Sequence, residues 1–107
     1  MGETMEFITI LTTVERDLAG PISEKILATR AGACVQTLGP ITSRYHWKGG
    51  IEAAEEYILL VKTTRDKFAE VEQVIRELHT YEIPEIIALP VLEGYLPYLD
   101  WIRRETG

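Results

Sequence analysis

His79, Tyr81, Glu82 and Glu85 fall in one short run, Leu-His-Thr-Tyr-Glu-Ile-Pro-Glu from Leu78 to Glu85, just before the apolar stretch Ile86–Val91. Nowhere else does the chain set polar side chains so tightly against an apolar element. A histidine with a carboxylate three residues on can hold Cu(II) or another divalent cation if further ligands arrive. His79 and Glu82 are therefore the leading metal candidates. The ordinary alternative for His79 is a cap on the helix before it or a hydrogen bond to a backbone carbonyl. Cys34, the one cysteine, is the soft candidate for Cu(I); its ordinary alternative is a small buried hydrophobe. His46 sits in a hairpin, where its pattern is that of an exposed side chain.

Tyr45, Trp47, Lys62, Tyr81 and Glu82 form a second candidate set. Aromatic walls with a few converging charges suit a small-ligand cleft between subunits. Tyrosine and tryptophan are also enriched at protein interfaces, and an interface is the favoured reading of the set. Glu55, Glu56, Glu70, Glu72 and Glu77 read as solvated faces, since neighbours on a strand point to opposite sides. No G-x-S-x-G elbow, Walker loop or dinucleotide fingerprint occurs, so the chain reads as non-enzymatic.

The 107 residues suffice for one domain, and 46% hydrophobic with 26% charged residues is an ordinary globular composition. A formal charge of −6 with scattered basic residues argues against nucleic acid as partner. A single cysteine excludes an intramolecular disulfide and a cysteine-only zinc site. No apolar run has the length of a membrane span and no signal pattern opens the chain. The cytoplasm is the expected compartment. Residues 1–5 read as frayed, with Met5 as good a start as Met1.

Phe7–Thr13 is β-branched and apolar on both faces, which predicts a central strand. A helix should follow, with Pro21 in its first turn, Ile22, Ile26 and Leu27 along its apolar stripe, and Gly32 at its stop. Ala33–Leu38 predicts a strand broken by Gly39-Pro40 and resumed from Ile41 to Trp47. Lys48-Gly-Gly50 turns the chain into a long strand ending near Thr64. Phe68, Val71, Ile75 and Leu78 define an amphipathic helix, with Thr64 or Asp66 as its cap. Ile86–Val91 predicts a last core strand, and Gly94–Glu105 a short terminal helix or coil. The order β-α-β-β-α-β with a tail is that of an α+β ferredoxin-like sandwich with an extended hairpin. In that topology the second strand is an edge, poorly guarded by charge, which predicts self-association. Its start and the end of the second helix lie at opposite ends of the sheet, so Cys34 and His79 of one chain should not share an ion.

Several blocks together resemble the CutA1 family, named for divalent-cation tolerance. They are Ala33-Cys34-Val35; Ile41-Thr42-Ser43 with Tyr45-x-Trp47-x-Gly49; Glu55-Glu56 with Leu60-Val61-Lys62-Thr63-Thr64; His79-x-Tyr81-Glu82-x-Pro84-Glu85-Ile86; and Gly94, Tyr98, Leu99 and Trp101. The resemblance runs from about Phe7 to Trp101. It implies a ferredoxin-like fold, a stable homotrimer built through the hairpin strands, and a cytosolic role in tolerance of copper or another divalent metal. It also implies kinship with PII-type trimers, which bind small effectors between subunits and signal to a partner protein. Gln36, Val14, Ala31-Gly32 and Thr80 depart from the residues usual there.

Overall fold

The structure, a computed structural model, describes residues 6–107; the expectations for residues 1–5 lie outside the described residues. Four strands and three helices follow in the order β1 (Phe7–Val14), α1 (Arg16–Ala28), β2 (Cys34–Trp47), β3 (Gly50–Thr64), α2 (Phe68–Leu78), β4 (Ile86–Pro90) and α3 (Leu96–Glu105). The strands form one antiparallel sheet in the order β2-β3-β1-β4, which is the ferredoxin-like arrangement. Both outer strands are edges. The expected last core strand, β4, is thus an edge strand whose Ile87 and Leu89 stay 46% and 48% exposed.

Period-two alternation assigns the two faces of the sheet. Ile8, Ile10 and Val14 of β1 and Leu59 and Val61 of β3 turn towards α1 and α2, meeting Ile22, Ile26, Val71, Val74 and Ile75 in the core. Leu27, expected on the same stripe, is 44% exposed, one helical step off the core-facing line. On the opposite face α3 covers only one end of the sheet, with the Arg103 guanidinium 4.8 Å from the Phe7 ring. Leu38, Ile87 and Leu89 are left open there.

Local chemistry corrects the expected helix boundaries. α1 begins at Arg16, so Pro21 lies beyond its first turn. Its end is not made by Gly32. Arg30 takes the left-handed conformation (φ 60°), while the Ala31 N–H donates to the Ile26 carbonyl and the Arg30 N–H to the Leu27 carbonyl, the paired bonds of a Schellman end. Gly32 answers a different need, since a Cβ there would stand 2.7 Å from Val61 Cγ1 and 2.8 Å from Ile26 Cγ2. A 3-10 turn, Arg65–Lys67, precedes α2, and neither Thr64 nor Asp66 makes a side-chain cap; the Thr64 hydroxyl donates to the Asp66 carboxylate at 2.6 Å instead.

β2 runs unbroken through Gly39-Pro40, with a register shift between Leu38 and Ile41. The last pair of β1 with β3 is Val14 with Tyr57. From Ile41 to Trp47, β2 therefore pairs with β3 in a hairpin that overhangs the sheet. Lys48 (φ 50°) and Gly49 (φ 83°) close it as a two-residue turn. This overhang and the segment after α2 build the site.

Candidate functional site

α2 ends at Leu78, and His79 leaves it in an extended conformation, its N–H still donating to the Ile75 carbonyl at 2.8 Å. The imidazole then spans two backbone groups. Nε2 lies 2.7 Å from the Thr13 carbonyl oxygen, and the Tyr81 N–H donates to Nδ1 at 3.1 Å. A carbonyl only accepts and an amide N–H only donates, so the bonds fix the tautomer with hydrogen on Nε2. The ring also packs against Tyr81 in a tilted arrangement, with 4.5 Å between centroids and 54° between the planes. His79 is thereby a clamp that ties the turn to β1 and sets the position of Tyr81.

Tyr81 faces a cavity of about 690 Å³ lined also by Tyr45, Trp47, Glu56, Glu82 and Arg44. Glu56 is the residue that sequence reasoning misplaced. Read as part of a solvated face, it is only 4% exposed. Glu56 is in phase with Ile58 and Leu60 rather than with core-facing Leu59 and Val61, and it pairs with Ile41 just past the register shift of β2. The signal was its phase next to a stretch apolar on both faces. What covers it was not legible, because Tyr81 arrives from a distant turn. Burial raises the Tyr81 phenol above the usual tyrosine range, and the neighbouring Glu56 carboxylate raises it further by favouring the protonated form.

The structure brings Tyr45, Trp47, Tyr81 and Glu82 of the second candidate set together. Lys62 stands apart, paired across the strands with Cys34 and Thr9, its ammonium donating to Gln36 Oε1 at 2.6 Å. Cys34 lies beneath α3, where burial and then Cys34 itself raise the Tyr98 phenol. Through Lys62, Cys34 aligns with Thr9, whereas His79 bonds Thr13. Four strand residues, roughly 13 Å, separate those positions, so the topology keeps Cys34 and His79 apart as expected. Glu82 and His46 are both exposed. Among the described residues no three His, Cys, Asp or Glu side chains converge as a group able to hold a metal ion. With both His79 ring nitrogens engaged, these residues do not fit a closed metal cage. A further hollow of about 800 Å³, lined by Glu6, Arg65, Asp66 and Arg103, lies at the α3 end; it holds none of the candidates, and Arg103 there pairs with Glu6 at 2.9 Å.

The model of the family described as CutA1 divalent ion tolerance protein matches residues 7–105. The chain belongs to the CutA1 family. It is 39% identical over 103 residues to the divalent-cation tolerance protein CutA of Thermus thermophilus, covering 96% of this chain and all of that relative. It is 38% identical to human Protein CutA over 96 residues, 90% of this chain but 54% of the human protein. The crystal structure of CutA from Xylella fastidiosa superposes with a TM-score of 0.92 at 34% identity, covering 95% of this chain and 99% of that one. The α+β sandwich with its overhanging hairpin is thus the fold that solved CutA1 structures share.

Proposed function

We propose that this CutA1 chain acts in divalent-metal tolerance as a non-catalytic cytoplasmic homotrimer, without a closed metal cage of its own. The single observation that carries the reading is the engagement of both His79 ring nitrogens by backbone. Cu(II) or another divalent cation then meets only exposed groups such as His46 and Glu82, which hold it weakly. Association rests on the open sheet face, where Leu38, Ile87 and Leu89 stay nearly half exposed, beside two sheet edges that are unpaired among the described residues. The free thiol of Cys34 suits a reducing compartment. Two measurements test the proposal together: the mass in solution by light scattering, and calorimetry of Cu(II) with metal-free protein. Three times the 12.1 kDa chain mass with weak copper binding supports it. A monomer, or tight stoichiometric copper binding, overturns it.

A second reading is favoured by the cavity of about 690 Å³ between the hairpin and the 79–85 turn. It is a PII-like regulatory role, in which a small effector enters the cleft and a partner protein reads the outcome.

A further inference from the structure

The cleft reading leaves the ligand's chemistry open, and Glu56 narrows it. Its side chain is 4% exposed yet lines the cavity. Among the described residues no Lys or Arg nitrogen comes within ion-pair distance of its carboxylate. Tyr81 lines the same cavity, and the Glu56 carboxylate helps to raise its phenol; a phenol carries no positive charge to set against it. Carboxylates this buried are ordinarily compensated by a cation, and among the described residues this one has none.

The surrounding charges point the same way. Glu56, Glu82 and Glu85 line the cavity against a single guanidinium, that of Arg44, so an anion entering it meets net repulsion. A bare divalent ion is poorly served, because among the described residues Glu56 belongs to no group of three His, Cys, Asp or Glu able to hold one, and such ions demand several oxygen or nitrogen donors. Aromatic rings, in contrast, attract organic cations across their faces. Trp47 already does so, with Lys48 Nζ 5.6 Å from its ring centroid.

We propose that the cavity takes a small organic cation, an ammonium or guanidinium group seated against Glu56 and walled by Tyr45, Trp47 and Tyr81. The inference rests on the effector reading of the cleft and adds the charge and class of the ligand. His79 contributes as a positioning residue, because its Nδ1 holds the Tyr81 backbone.

Trp47 reports on the site. In a Trp101→Phe background it is the remaining tryptophan, and its fluorescence is followed while n-butylammonium, n-butanol or butyrate is added at fixed ionic strength. The expected result is a saturable response to butylammonium, weakened about tenfold or more by Glu56→Gln, and none to butyrate. Saturation by butanol or butyrate as strong as by butylammonium leaves the cleft reading standing and overturns the cation. No saturation by any probe overturns both. A fall in oligomer mass on Glu56→Gln, with no butylammonium response in the parent, assigns the counter-ion to another copy of the chain and also overturns the proposal. Should Glu56→Gln fail to fold, the butylammonium-to-butanol affinity ratio of the parent decides, a ratio near unity being the overturning result.

Discussion

Replacing His79 by alanine separates a structural clamp from a metal ligand. The imidazole makes hydrogen bonds of 2.7 Å to the Thr13 carbonyl and 3.1 Å from the Tyr81 N–H. Each is worth about 0.5–1.5 kcal/mol net, so the pair holds the 79–85 turn with about 1–3 kcal/mol. Thr13 is 6% exposed, which leaves its carbonyl poorly served by water once the ring is gone. The Tyr81 amide lies nearer solvent and recovers part of its loss, so about 1–2 kcal/mol is the expected net cost. At about 1.4 kcal/mol per factor of ten, that is a roughly 5- to 30-fold rise in local opening. Amide hydrogen exchange reads it directly, as lost protection at Tyr81 with core strands such as β3 unaffected. Calorimetry beside it should show Cu(II) binding as weak as in the parent. A roughly tenfold loss of copper affinity with unchanged exchange at Tyr81 would refute the reasoning, since the ring would then be spending a lone pair on metal.

Gly32→Ala should cost about 1–3 kcal/mol by overpacking, because the added carbon meets Val61 and Ile26 at 2.7 and 2.8 Å, both fully buried; urea unfolding at fixed protein concentration checks it, and a neutral result would mean the core yields there. Leu38→Lys and Ile87→Lys put a charge into the open sheet face and should each lower the mass measured by light scattering, whereas an unchanged mass places the subunit contact elsewhere. The raised phenols of Tyr81 and Tyr98 make stability fall in alkali. Their folded values stand above the ordinary 10.0, so their contribution is complete below that pH and is lost as pH rises through the folded values. Phenolate absorbance of the native protein should then show late-ionising tyrosines, and Tyr81→Phe should remove the latest step; a curve unchanged by that variant would contradict the burial of Tyr81 against Glu56.

What was legible in the sequence was periodic. Phe7–Thr13 and Tyr57–Val61 announce strands apolar on both faces, and Val71 and Ile75 announce the buried side of α2, because each signal lies within one element. The ends of elements were less legible, since they depend on competing local solutions. A Schellman end tolerates Arg30 in the left-handed region, so the nearby Gly32 was a natural but mistaken choice for the stop. Strand β4 misled for a related reason. Its apolar residues were taken as core, yet they lie on an edge and an open face, and nothing within the segment itself tells an edge strand from a central one.

The candidate site divides along the same line. Tyr45 with Trp47 and Tyr81 with Glu82 were visible as two local motifs, and the fold joins them. Lys62 shares their sheet face, but the register pairs it with Cys34 at the other end. Glu56 required knowledge that no single segment contains. Its burial follows from its phase on β3, the register of β2 beyond Leu38, and a tyrosine held over it by a histidine bonded to β1. The histidine that first suggested a metal therefore bears on the cavity at second hand, through the Tyr81 backbone. It fixes the wall of a cavity whose deeply buried carboxylate belongs to another residue, Glu56, and a metal ion and an organic cation ask different things of the groups around that charge. Metal needs more ligands than Glu56 has beside it, while an ammonium group needs one carboxylate and the faces of nearby rings.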